Sequence, residues 1–406
     1  MYFIFAWRYF NAKKSTNAIN VISWVTCAGI AITVMCQLVG MSAFNGLEDL
    51  VKSLYSNFYT DIRISASSGK SISFTAEQAH DLKMLSGIKN FSLIVEEKAL
   101  LQNGDLQTVV FLKGVDDNYA GVSGVPGKIV RGQFLTGTAE NPSLVLGSGI
   151  ENAIGVFADK NLSPLTVFLP KRSAVVDPDP LSALSEGNAN TAGTFAIQQD
   201  FDDKYVITNL DFVKQQMNYR ADEYTAVEVA LTSPDKSISM QQSLRKILGP
   251  SYIVQTKYEQ NTTLYNSMKM EKWAMYAILT LIQIVAAFNL IGALTMFVLE
   301  KRKDIGILQS FGARQSLILK IFLTEGIILA IIGAVAGFLL ALILCYLQVK
   351  FKLLKIEGNS FLIDYFPVKL IAGDFLLVAI TALIIALAGS WFPAYKASRQ
   401  RLELKT

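Results

Sequence analysis

Side chains that carry out catalytic and metal chemistry are scarce in this chain. Its single histidine, His80, lies on a segment that reads as an exposed helix, and with no second His or nearby Cys it reads as a solvated surface residue. The three cysteines, Cys27, Cys36 and Cys345, all fall inside apolar runs, which excludes a disulfide scaffold or zinc site in the polar part of the chain. Gly69-Lys70-Ser71 closes a phosphate-loop pattern, yet Ile64 stands where that pattern needs its first glycine, so a polar turn is the better reading. There is no nucleophile elbow, HExxH helix or dinucleotide fingerprint, and no basic stripe with interleaved aromatics to meet nucleic acid. The chain reads as a non-enzyme with no cofactor of its own. Any work it does would draw its energy from a partner.

Charge is scarce too. Only 17% of the 406 residues are charged, against about 25% in an ordinary soluble protein, while 51% are hydrophobic and mean hydropathy is +0.36. The shortage is concentrated in a few long apolar runs, and four of them predict membrane spans: residues 18–46, 273–299, 318–349 and 375–395, the third with Lys320 and Glu325 near its inner end. Ser15 to Leu47 holds no charge over 33 residues, too long for the apolar region of a signal peptide. Residues 1–17, 300–320 and 396–406 carry twelve Lys and Arg against three acids, so by the positive-inside rule all three face the cytoplasm. The layout is then an interfacial helix over 1–17, a large outer domain over 47–272, a cytoplasmic loop over 300–317, an outer loop over 350–374 and a cytoplasmic tail over 396–406.

The outer domain reads as α+β on two helical stalks. Phe44, Leu47, Val51, Leu54 and Phe58 fall on a heptad seam that prolongs the first span. Tyr258, Tyr265, Met268 and Met275 fall on the same lattice before the second span, with Asn261 and Lys272 at its weaker positions. Two stalks leaning on each other fit this pattern; two helices packing separately on the domain core fit it as well. Between them, a strand over Thr60–Ala66, a helix opened by the capping box Thr75/Gln78 and closed at Gly87, and strands Ile88–Leu101 and Leu106–Val115 around an Asn103-Gly104 turn form one half of a pattern. The other half is Tyr224–Leu231, a helix capped by Ser233 and started by Pro234, and Tyr252–Thr256. Together they predict a split ferredoxin-like subdomain, with a β-rich subdomain inserted at about 118–217. Asp177–Asn190, rich in Pro, Gly, Asn and Ser, reads as an exposed loop, functional or disordered.

The cytoplasmic loop is short and basic, with Ile305, Leu308 and Phe311 in helical period up to Gly312. An interfacial helix offering a surface to a partner and a plain stop-transfer hairpin both fit. Glu325, at the inner mouth of the third span, reads as reaching for water, for Lys320 or for basic residues of a partner, and Gly333 with Gly337 forms a GxxxG pair.

Several runs together carry a resemblance. They are Met41-Ser42-Ala43-Phe44-Asn45-Gly46-Leu47-Glu48, Glu271-Lys272-Trp273, Ala286-Ala287-Phe288-Asn289, Glu300-Lys301-Arg302-Lys303-Asp304-Ile305-Gly306-Ile307-Leu308 with Phe311-Gly312-Ala313, Glu325-Gly326, and Trp391 to Ser398. With a large outer domain between the first two spans, the chain resembles the lipoprotein-releasing permeases of the LolC/LolE family, within the FtsX/MacB group of ABC transporters. The resemblance implies a bacterial inner-membrane permease subunit with both termini in the cytoplasm. A homodimeric ATPase of LolD type would bind ATP and Mg and dock on a coupling helix made by Lys301, Arg302, Lys303, Asp304, Ile305, Ile307, Leu308 and Phe311. A second permease subunit would pair with this one in the membrane lipid, framing a cavity for lipoprotein acyl chains near Met41, Phe44, Leu47, Val51, Leu54, Met268, Met275 and Phe288. The outer domain would pass the lipoprotein to a LolA-type periplasmic carrier through the region Lys171–Asn190, with Lys171, Arg172, Pro178, Pro180, Leu181 and Leu184 as contacts. Rival readings are an FtsX-like regulator of a cell-wall hydrolase, a MacB-like exporter and a membrane sensor.

Overall fold

The computed structural model describes residues 17–160, 163–171, 184–355 and 365–399; the expected helix over residues 1–17 and the C-terminal tail lie almost wholly outside them. The described chain divides into two compact units, one of residues 17–50, 266–355 and 365–399, the other of residues 51–265.

Among the described residues, the first unit draws on five helices: α1 (Asn17–Phe58, which also contributes to the second unit), α2 (Thr262–Glu300, likewise), α3 (Arg302–Ser310), α4 (Gln315–Phe351) and α5 (Ala372–Ser398). All but α3 are long and apolar enough to cross a membrane. At ~1.5 Å per residue, all four exceed the ~30 Å of a hydrocarbon core, α1 and α2 by the most. The core buries Cys27, Ile30, Val34 and Met41 of α1 with Leu290 and Leu294 of α2, Leu329 of α4 and Val378 of α5. Gly333 and Gly337 set the approach of α4 to α1. A Cβ on either would press on Ile30 or Val34 at 2.8 to 2.9 Å, so the GxxxG pair is a packing contact. Glu325 is buried, not reaching for water as the sequence suggests, because Gly326 beside it packs against Ser390 of α5. After α4, Lys352 turns the chain at φ 51°, and Gln348 bonds Leu354 and Phe366, stapling the following segment to the helix end.

The second unit is α+β. Its strands are β1 (Ile62–Ala66), β2 (Ile72–Ser73), β3 (Ile88–Asn103), β4 (Leu106–Val115), β5 (Ile129–Gly132), β6 (Ser143–Gly147), β7 (Leu165–Pro170), β8 (Leu184–Phe195), β9 (Tyr205–Asn209), β10 (Glu223–Tyr224), β11 (Ala226–Leu231) and β12 (Tyr252–Thr256). The order β12-β1-β11-β3, all antiparallel, with helices Ala76–Met84 and Ser237–Leu248 in the two connections, is the expected split ferredoxin-like subdomain. Its core packs Ile62, Ile64, Leu82, Phe91, Val229 and Leu244. The capping box forms as expected, with Thr75 and Gln78 each bonded to the other's backbone. Ser233 does not cap: Pro234–Lys236 is a 3-10 turn, and the α-helix starts at Ser237.

The insertion does not stand apart. β4 pairs along β3 through the Asn103-Gly104 turn, then parallel to β9, and the sheet continues through β6, β8 and β5. Of Asp177–Asn190, residues 177–183 lie outside the described residues. Residues 184–190 belong to β8, paired in register with β7 from Leu165↔Ala189 to Pro170↔Leu184. The glycine that suggested a turn there, Gly187, lies beneath the helix Leu210–Met217, where a Cβ would stand 2.9 Å from the Phe212 ring.

Candidate functional site

Three places gather the residues singled out by the sequence. The first is α3. Nine residues are too few for a helix to persist by itself, and an apolar anchor and an ion pair help to hold α3. Ile305, 3% exposed, packs with Phe297, Val298, Ile318, Phe322, Ala394 and Ala397. Lys301 Nζ pairs with Asp304 at 3.2 Å. The eight residues expected to form the docking helix do not share one face. Ile305 points into the helical unit and Leu308 is half-buried, whereas Ile307 and Phe311 are 56% and 85% exposed, beside exposed Arg302 and Lys303. The outward surface is thus basic and apolar together, and its most exposed large side chain is an aromatic at the C-terminus of α3.

The second place is the end of the helical unit opposite α3. Met41 and Phe44 are buried and Leu47 is half-buried on α1; Met268 is buried and Met275 half-buried on α2. Gly40 lets the two helices approach, because a Cβ there would lie 3.1 Å from Leu279 and 3.8 Å from Met275. Gln37 donates to Thr280 at 3.0 Å. Phe288, of the same expected group, is 65% exposed. Val51 and Leu54 are half-buried in the second unit, where Val51 packs with Tyr55, Phe58 and Leu264.

A polar joint at this end was not foreseen as such. Lys272 Nζ donates to Asn45 Oδ1 at 2.7 Å and lies 3.6 Å from Asp374, while Asn45 Nδ2 donates to Asp374 Oδ2 at 2.5 Å. Lys369 pairs with Asp49 at 2.5 Å, and its backbone N–H donates to the Ser42 carbonyl at 2.9 Å. Gly46 allows this, since its Cα lies directly against the Pro367 backbone with no room for a Cβ. The signal was present: Lys272 occupied a weak position of the heptad lattice.

The third place is in the large domain. Of the expected carrier contacts, Lys171 is exposed and Leu184 opens β8; Arg172, Pro178, Pro180 and Leu181 lie outside the described residues. Deeper in the domain is a charge cluster that strand alternation concealed. Lys113 is wholly buried, with Nζ 2.8 Å and 3.0 Å from the two Glu228 oxygens and over the rings of Phe58 and Tyr119 at 4.7 and 5.0 Å. Arg63 joins it, 3.3 Å from both Glu96 and Glu228. Burial alone would raise the Glu96 carboxyl, but Arg63 and Lys113 hold it below its ordinary value. Burial would likewise lower the Lys113 ammonium, and Glu228 reverses that. The cluster is fully paired and lies against Phe58, the last residue of α1, which is buried in the domain's core.

Residues 23–247 match the MacB-like periplasmic core domain, and residues 276–402 match the FtsX-like permease C-terminal family. The chain is 25% identical to the lipoprotein-releasing system transmembrane protein LolE of Haemophilus influenzae, over 98% of this chain and 97% of that protein. It is 23% identical to LolC of Xylella fastidiosa (strain 9a5c), covering 97% and 95%, and 25% identical to LolC of Neisseria meningitidis, covering 98% of each. The crystal structure of the periplasmic region of MacB from Actinobacillus actinomycetemcomitans aligns with 54% of this chain and 98% of its own at 16% identity and a TM-score of 0.36. Four apolar helices among the described residues, a β-rich core domain between the first two of them and both family matches lead to one assignment: this chain belongs to the membrane permeases that join a MacB-like periplasmic core domain to an FtsX-like C-terminal module, and it is similar to LolC and LolE over nearly its whole length.

Proposed function

We propose that this protein is a permease subunit of an inner-membrane ABC transporter that extracts lipoproteins from the bilayer and passes them to a soluble periplasmic carrier. The observation that carries this reading is the full-length similarity to LolC and LolE, together with an α3 whose outward face is basic and aromatic while its inward face is anchored. In this reading ATP and Mg would be bound by a separate ATPase subunit docking on α3 from the cytoplasm. A second permease subunit, identical or related, would complete the transporter.

The physics sets the task. Burial holds an acyl chain by about 0.8 kcal/mol per methylene, so a lipoprotein with three chains does not leave a bilayer unaided. In this reading, closure of the ATPase displaces α3, the movement reaches the far ends of α1 and α2, and the space they frame with the second subunit contracts and expels the lipid. The β7–β8 hairpin of the large domain is then the candidate contact for the carrier, and both termini lie in the cytoplasm.

The test is ATP-dependent release of a triacylated lipoprotein from proteoliposomes containing this chain and its co-purified ATPase. Release that requires both ATP and a soluble carrier is expected. Hydrolysis without release under all carrier conditions would replace this reading with that of a regulator, in which the large domain moves an enzyme and not a lipid.

A further inference from the structure

α5 is in contact with α3 at one end and with both α1 and α2 at the other. Near its C-terminus, Ala394 and Ala397 are fully buried and form part of the pocket that seats Ile305 of α3. Along its middle, Val378, Ala382 and Ala386 pack with Cys27, Ile30 and Leu329. At its N-terminus, Asp374 is buried and holds Asn45 of α1 and Lys272 of α2 together. Pro393 lies inside the helix one residue before Ala394 of the Ile305 pocket, where it removes a backbone hydrogen bond.

We propose that α5 is the rod that transmits displacement of α3 to the roots of α1 and α2, and that Asp374 is the positioning residue through which it holds both. This rests on the reading of α3 as an ATPase-docking helix. The Asn45 amide is engaged at both ends, its oxygen on Lys272 and its nitrogen on Asp374. Separating any one of the three leaves a buried carboxylate or amide without its partner, and breaking a buried pair is far more costly than keeping it. The three helix ends therefore move as one body. The second tie, Lys369 to Asp49 with the Lys369 N–H on the Ser42 carbonyl, fixes the segment before α5 to α1 in the same layer. Coupling of this kind requires an energetic test, since contiguity by itself does not establish transmission.

That test uses the full chain with its co-purified ATPase in proteoliposomes. Cys27, Cys36 and Cys345 are replaced by Ala or Ser, and spin labels are attached at Ser53→Cys on α1 and Met270→Cys on α2. Three quantities are read: the ATP-driven change in label distance, ATP hydrolysis, and release of a triacylated lipoprotein. In the parent protein ATP changes the distance. Asp374→Ala is expected to abolish that change and reduce release by about tenfold while hydrolysis stays within about twofold. Lys272→Asp with Asp374→Lys is expected to restore the change, because Asn45 can present either end of its amide to either charge. A preserved distance change in Asp374→Ala overturns the proposal, as does a parent protein whose distance ignores ATP. Hydrolysis, release and thermal stability falling together, without rescue by the swap, also overturn it, since a purely structural ion pair behaves that way. A distance change that depends on Asp374 in a system that releases no lipoprotein leaves the rod standing and removes the lipoprotein reading.

Discussion

Ile305 and Phe311 lie six residues apart on the same short loop and should fail in different ways. Ile305 is the apolar anchor of α3, packed among Phe297, Val298, Ile318, Phe322, Ala394 and Ala397. Truncating a buried Ile to Ala costs about 2–5 kcal/mol. Because a helix of nine residues has little stability of its own, that loss falls almost entirely on the seating of α3. About 3 kcal/mol corresponds to roughly a hundredfold change in the seated-to-unseated ratio. Phe311, 85% exposed, contributes almost nothing to the isolated subunit, yet an exposed aromatic of this kind costs about 2 kcal/mol or more when truncated in a partner interface, roughly thirtyfold in affinity. Two assays separate the outcomes: amide hydrogen exchange of α3 in nanodiscs, and the affinity of the co-purifying ATPase. Ile305→Ala should accelerate exchange across Arg302–Ser310 by up to about a hundredfold and weaken the ATPase as a consequence. Phe311→Ala should leave exchange unchanged and weaken the ATPase alone. Unaltered exchange in Ile305→Ala, or wild-type affinity in Phe311→Ala, would refute the division of α3 into an anchored and a docking face.

Other consequences can be checked separately. Gly337→Leu puts a side chain where its Cβ alone would lie 2.9 Å from Val34, so the α1–α4 contact must open; a fall in thermal stability in detergent is expected, with Ala341→Leu as a buried comparison and Leu339→Ala, on an exposed face, unaffected. Lys113→Met strands Glu228 beside Arg63 alone and should cost about 3–5 kcal/mol, whereas Lys113→Met with Glu228→Gln should recover much of it; a double variant no better than the single would refute the pairing. Burial raises the Asp202 carboxyl from 3.8 to about 6 in the folded domain, despite the bonds it accepts from the Ile197 N–H. The folded state thus holds its proton more tightly than the unfolded one, and the resulting stability is present below about pH 4 and lost as pH rises through about 6. Asp202→Asn should therefore melt increasingly above wild type from pH 4 to 7, and parallel melting curves would contradict this.

The sequence by itself determined whatever depends on short-range periodicity. Apolar runs located the four long helices, because about 20 apolar residues in a helix match the thickness of a bilayer's hydrocarbon core. The Asn103-Gly104 turn and the Thr75/Gln78 capping box were legible because their chemistry is complete within a few residues. The family resemblance rested on local runs of the same kind. Tertiary structure decided what depends on neighbours distant in the chain. Which face of α3 turns outward is set by the pocket that Phe322, Ala394 and Ala397 build for Ile305, and helical spacing cannot distinguish that from Phe311 facing inward. Residues 184–190 have a loop's composition but pair as a strand, because Gly187 is needed beneath Phe212. Lys113 sits in a strand whose pattern allows either face, and Glu228, 115 residues later, does most to offset the desolvation of its ammonium. The Asn45 joint reaches Lys272 and Asp374 across 227 and 329 residues. A single polar side chain at the end of an apolar run gives no sign of its partners, because the interaction exists only once three helix ends have been brought together.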